Sequence, residues 1–133
     1  MVVTLPRALA DQMVEHARSE LPNEACGILG GVDGTISSFH ATRNADASPY
    51  RYNVDNDDLV RVVYELDQAN QDIVAIYHSH TKSAAYPSRT DVQLGDPSYV
   101  YIIVSLAQPE ADVKAYRLSR EAETIEPLEL VIA

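Results

Sequence analysis

The sequence predicts an α/β (α+β) fold: one domain over residues 1–133, with a mixed β-sheet flanked by helices. Three observations carry that expectation. Apolar runs recur at 25–31, 73–78 and 99–106, the last two rich in β-branched residues. Two segments of helical periodicity interrupt them, and groups of strands broken by helices form mixed sheets. A chain of 133 residues also suits one compact domain that buries about two-thirds of the surface its unfolded form exposes.

Residues 1–5 are expected to form a short edge strand. From Pro6, Leu9, Met13 and Ala17, with Val14 and Leu21 nearby, have the spacing of a helix over 6–20. Ala25-Cys26-Gly27-Ile28-Leu29-Gly30-Gly31 reads as a buried strand, joined through the Asp33-Gly34 turn to a second strand over 35–41. Its glycines fit either a close backbone approach or a loose turn. Residues 43–53 are polar, contain Pro49 and read as a loop. Asp55-Asn56-Asp57-Asp58 supplies a cap and negative charge for a helix over 56–70, with Leu59, Val62, Val63 and Leu66 on its buried face. A strand over 73–78, a loop over 81–87 and a short helix from Ser88 follow. Strands near 99–106, 112–118 and 123–132 complete the chain.

Composition excludes several classes. The net charge of −10 and the absence of any basic block argue against a nucleic-acid surface, which needs clustered Lys and Arg to neutralise phosphates. No run of eighteen apolar residues is present, and no basic segment precedes an apolar one at the N-terminus, so neither a membrane partner nor a secretory signal is expected. The single cysteine, Cys26, rules out an internal disulfide framework and any multi-cysteine zinc site. Together these features predict a cytoplasmic protein.

The chemistry concentrates in residues 78–91. His78 and His80 follow the apolar run Ile73-Val74-Ala75-Ile76-Tyr77. On a strand, residues two apart point to one face and lie roughly 6–7 Å apart along the chain, a gap that one tetrahedral ion bridges. On a helix they would diverge by about 200°. Asp91, eleven residues after His80, can return as a third ligand. Three protein ligands and a water make the catalytic zinc pattern, whereas structural zinc sites are usually closed by four. Sequence does not decide the metal, since two histidines and a carboxylate also hold Fe(II), Mn(II) or Co(II), and zinc is the default. Asp91 has a second reading: Ser88-Arg89-Thr90-Asp91 has the form of a capping box. The two roles are compatible, because a ligand is best placed when its own backbone is fixed.

A metallohydrolase also needs a base to take the proton of its water and deliver it to the leaving amine. No HExxH helix supplies one. Glu24 stands out among the nine glutamates because it directly precedes an apolar strand. Cys26 fits a small buried hydrophobe better than a nucleophile. His16 and His40 are expected to be solvated. Tyr50, Arg51 and Tyr52 either touch an extended peptide or pack on the surface.

His78-Ser79-His80, Ser88 and Asp91, with Glu24 upstream, resemble the JAMM (MPN+, JAB-domain) metallopeptidases. Five polar positions agree in type and order, and the likeness extends over most of the chain. The resemblance implies a JAB/MPN-like domain with a curved mixed sheet, related in architecture to the cytidine deaminases. It implies that His78, His80 and Asp91 bind one zinc ion with water in the fourth position. It assigns Glu24 the acid/base role, and it gives Ser88 a hydrogen bond to the tetrahedral intermediate. The text around Asn23-Glu24-Ala25-Cys26-Gly27 and Ala85-Tyr86-Pro87-Ser88 is similar to small bacterial members. Those resemble peptidases that trim the C-terminus of ubiquitin-like sulfur-carrier proteins, by releasing cysteine or residues beyond Gly-Gly. Such a carrier is the implied partner.

Two alternatives stand beside it: a deubiquitinase-like isopeptidase, and a non-catalytic MPN-type binding module. The lack of long insertions, and Thr81 where eukaryotic members often have proline, weigh against the first. The complete ligand set weighs against the second. A zinc nucleoside deaminase needs His-x-Glu and Pro-Cys-x-x-Cys, which a chain with one cysteine cannot supply.

Overall fold

The computed structural model describes residues 1–133. The elements run β1 (Val2–Leu5), α1 (Arg7–Ser19), β2 (Cys26–Val32), β3 (Thr35–Thr42), α2 (Asn56–Gln68), β4 (Asp72–His80), α3 (Arg89–Gln93), β5 (Val100–Ser105), β6 (Asp112–Ser119) and β7 (Thr124–Ile132). All seven strands join one sheet in the order β1-β7-β6-β5-β4-β2-β3. The β1–β7 and β4–β5 pairs are parallel and the other four antiparallel, so the sheet is mixed as expected. No helix is long and apolar enough to cross a membrane.

Strand alternation sorts the interior into two faces. On one, Ala75 and Tyr77 of β4 and Val100, Ile102 and Val104 of β5 pack with Met13 and Ala17 of α1. On the other, Ile28 of β2 packs under Val62 and Leu66 of α2, and Tyr101 and Ile103 of β5 lie with Ala85, Tyr116 and Leu118. His78 and His80 belong to this second face, between the ground covered by α2 and that covered by the loop leading to α3.

The glycines of β2 serve close approach. A Cβ on Gly30 would stand 2.3 Å from Leu66 Cδ2, so α2 can rest on the strand only where side chains are missing. The β2–β3 turn has Asp33 at φ 51° and Gly34 at φ 80°, two successive left-handed residues as the tight hairpin requires. Asp55 caps α2 by accepting from Asp58 N at 3.1 Å.

Three expectations need correction. Val63, placed on the buried face of α2, is 47% exposed; helical spacing defines a stripe more broadly than the sheet can cover. His16 is not solvated: its Nδ1 lies 2.8 Å from the hydroxyl of fully buried Tyr77, and burial lowers its pKa. His40 is likewise only partly exposed, 3.5 Å from Glu65 and 3.0 Å from Ser38 Oγ.

Candidate active site

The strand carrying His78 continues through His80, two residues beyond the expected end. Alternation therefore turns both imidazoles to one face. His78 is fully buried and His80 is 4% exposed. Across the 81–87 loop, α3 brings Asp91 to meet them. His78 Nε2 lies 3.2 Å from His80 Nε2 and 3.1 Å from Asp91 Oδ2, and His80 Nε2 lies 3.0 Å from the same oxygen. Ligands about 2.0–2.1 Å from a tetrahedral zinc stand roughly 3.3–3.4 Å from one another. The three atoms thus form nearly one face of such a tetrahedron, and they can hold a metal ion.

The tautomers agree with that reading. His80 Nδ1 lies 2.8 Å from Ala84 O; a carbonyl only accepts, so Nδ1 carries the proton and neutral His80 presents a lone pair at Nε2. His78 Nδ1 is buried without a partner. Its ring is held instead by Tyr52, stacked at a centroid distance of 4.3 Å and an interplanar angle of 17°. Burial lowers the pKa of His78 and keeps it neutral. Burial also opposes the charged form of His80, but hydrogen bonds to Asp91 and Ala84 O outweigh it and raise the pKa. Burial pushes the Asp91 carboxyl up, yet the two imidazoles and the Ser88 amide hold it well below the usual carboxylate range.

Asp91 has a double placement. Ser88 Oγ accepts from Asp91 N at 3.1 Å, while Ser88 N donates to Asp91 Oδ2 at 2.9 Å. This is the expected capping box. The oxygen that closes it is also the one facing the imidazoles, so the helix start fixes the carboxylate.

Glu24 comes to the same place from the chain entering β2. Ser79, between the two histidines, points the other way: its Oγ accepts from Ala25 N at 2.8 Å, and its amide donates to Ala25 O at 3.0 Å. From the far side, Glu24 N donates to Ser48 O and Asn44 Nδ2 donates to Glu24 O. The Glu24 side chain is buried, with Oε1 lacking any partner. Burial pushes its pKa up to about 8, with His80 pulling down and Asp91 pushing up. A carboxyl group with that pKa exchanges protons near neutrality, as a general acid/base must.

Glu24, His80 and Ser88 line a cleft of about 230 Å³, together with Tyr50, Thr81 and Lys82. A larger cavity of about 480 Å³ at the end of α3, lined by Gly95, Pro97 and Arg120 among others, contains none of the converging groups. Cys26 is buried, hydrogen-bonded to Thr42, and its thiol is pushed up to about 11, chiefly by burial, as suits a packed residue. The neighbours of the 43–53 loop separate: Tyr50 is 80% exposed, while Tyr52 is buried against His78 rather than on the surface. Sequence reasoning missed Tyr52, Ser79, Asn44 and Ser48 as groups that position the site. Only Ser79 carried a signal, its fixed place between two histidines.

Comparison with known proteins agrees with this architecture. The family described as prokaryotic homologs of the JAB domain matches residues 6–119. The chain is 38% identical over 134 residues to the CysO-cysteine peptidase of Mycobacterium tuberculosis, covering 98% of this chain and 92% of that protein. It is 35% identical over 103 residues to the desampylase of Haloferax volcanii, covering 71% and 74%. The solution structure of protein DSY2949 from Desulfitobacterium hafniense is similar with a TM-score of 0.89 and 32% identity, over 100% of this chain and 93% of that one. The chain belongs to the prokaryotic JAB-domain family of JAMM-type peptidases and is a hydrolase.

Proposed function

We propose that this protein is a single-zinc peptidase that hydrolyses an amide bond at the C-terminus of a ubiquitin-like sulfur-carrier protein, releasing cysteine or a short extension after Gly-Gly. One observation carries the reading: three convergent donors 3.0–3.2 Å apart, with the Glu24 carboxyl beside them at a cleft. The substrate class is supported by the likeness to a CysO-cysteine peptidase and to a desampylase.

His78, His80 and Asp91 would hold the zinc. When bound, it supplies Lewis acidity, polarising the scissile carbonyl and lowering the pKa of water to about 7. Glu24 takes a proton from the attacking water and hands it to the departing amine, so that the C–N bond breaks as water's hydroxyl joins the carbonyl carbon. Ser88 Oγ accepts from Asp91 N, which leaves its own proton free to donate to the oxygen that becomes negative. Tyr52, Ala84 and the capping box hold the ligands in place. A substrate tail enters the cleft that Tyr50 and Lys82 line.

The test is mass spectrometry of ubiquitin-like carriers ending in Gly-Gly-Cys or a longer extension, after incubation with the zinc-loaded protein. The expected product ends in Gly-Gly and is absent with His80→Ala. Carriers that keep their extension under all conditions would overturn the proposal.

A further inference from the structure

We infer that Lys82 receives the free C-terminal carboxylate of the departing residue, so that the enzyme removes terminal residues in preference to internal or side-chain-linked ones. The inference rests on the peptidase reading above and names the feature of the substrate that the site selects.

The chain has two lysines and a net charge of −10. Lys114 lies 3.8 Å from Asp112 on β6. Lys82 is exposed and has neither an ion pair nor a hydrogen bond within the protein. It lines the cleft that also contains Glu24, His80 and Ser88, and it is the only lysine or arginine there. An unpaired ammonium beside a buried carboxyl site needs an account.

The cleft gives that account. Glu24 lines it, and whenever that carboxyl gives up its proton it disfavours an anionic substrate group; a cation on the same cleft offsets this. Lysine's four-carbon stem gives a movable point charge suited to a terminal carboxylate. At about 230 Å³ the cleft is smaller than the ~300–1,000 Å³ typical of small-molecule sites and matches one or two residues. Tyr50, which also lines the cleft, offers an exposed ring, and Thr81 Oγ1 donates to Pro49 O at 3.3 Å, tying the segment of Tyr50 to that of Lys82.

The experiment uses the zinc-loaded full chain and one carrier bearing a single alanine after Gly-Gly, made as the free acid and as the C-terminal carboxamide. Alanine has no side-chain charge, so the terminal carboxylate is the only difference. The free acid should be cleaved with kcat/KM about tenfold higher, the worth of one charge-assisted contact at a partly wet site. The difference should lie mainly in KM, because the carboxylate is bound in ground and transition states alike. Lys82→Met should abolish the preference and Lys82→Arg should keep it. Equal cleavage of acid and amide, or a preference that survives Lys82→Met, overturns the role of Lys82 and leaves the peptidase standing. Cleavage of neither form by the wild type overturns the peptidase reading, and this inference with it.

Discussion

The floor and the rim of the cleft are built on opposite principles. On and beneath the floor, Glu24, His78, His80 and Asp91 are each at most 5% exposed, and the three that could hold a metal are each fixed by something behind them: a carbonyl for His80, a stacked ring for His78, a helix cap for Asp91. On the rim, Tyr50 stands 80% exposed and Lys82 has no partner. In the proposed reaction the buried groups with fixed geometry do the chemistry, because their electrostatic effect needs pre-organisation. Exposed groups are free to answer to the substrate. A change on the floor should therefore alter whether the reaction occurs, and one on the rim which substrate it acts on.

The largest effect is expected for ligand loss. His80→Ala should abolish zinc binding, measured by metal analysis of the purified variant, and lower kcat/KM by at least about 10⁴-fold. Retained stoichiometric zinc would break the assignment of the triangle. Ser88→Ala should act more weakly, lowering kcat by about 10- to 100-fold, because one oxyanion donor is lost. It should also cost about 1 kcal/mol of stability by denaturant unfolding, the worth of an N-cap. A stability loss with unchanged kcat would reduce Ser88 to a cap.

The elevated pKa of Glu24 gives a stability prediction for the metal-free protein. The unfolded chain releases this proton near 4.5, the folded chain near 8. Between those values the folded state binds more protons, so this group's contribution to stability falls as pH rises through that window. Glu24→Gln should remove that part of the slope when unfolding is followed by denaturant from pH 5 to 8. An identical slope in both proteins would show that Glu24 ionises normally. The smallest effect belongs to the rim: Tyr50→Ala should change stability by less than about 0.5 kcal/mol, as exposed substitutions do, and should raise KM without lowering kcat.

The floor was also the more legible part in sequence, for a physical reason. His78, His80, Ser88 and Asp91 lie within fourteen residues, and strand alternation and helix capping are local rules that bring them together. The element order was readable because apolar periodicity reports burial directly. Glu24 was singled out by its place before a strand, but its position beside the triangle depends on Ser79 and the 43–53 loop, contacts that span 54 and 20 residues. Tyr52 was unreadable for the same reason: nothing in Tyr50-Arg51-Tyr52 tells which ring turns inward. His16 and His40 were misjudged because polarity suggested solvent, while the buried Tyr77 hydroxyl and Glu65 supply the partners.

The most direct test of the account separates holding the metal from using it. Wild type and Glu24→Gln are titrated with zinc by calorimetry, and both are assayed on a Gly-Gly-Cys carrier. Both proteins are expected to bind one zinc per chain with closely similar affinity, with turnover lowered about 10²- to 10⁴-fold in the variant. Wild-type turnover by Glu24→Gln, or loss of its zinc, would overturn the role given to Glu24.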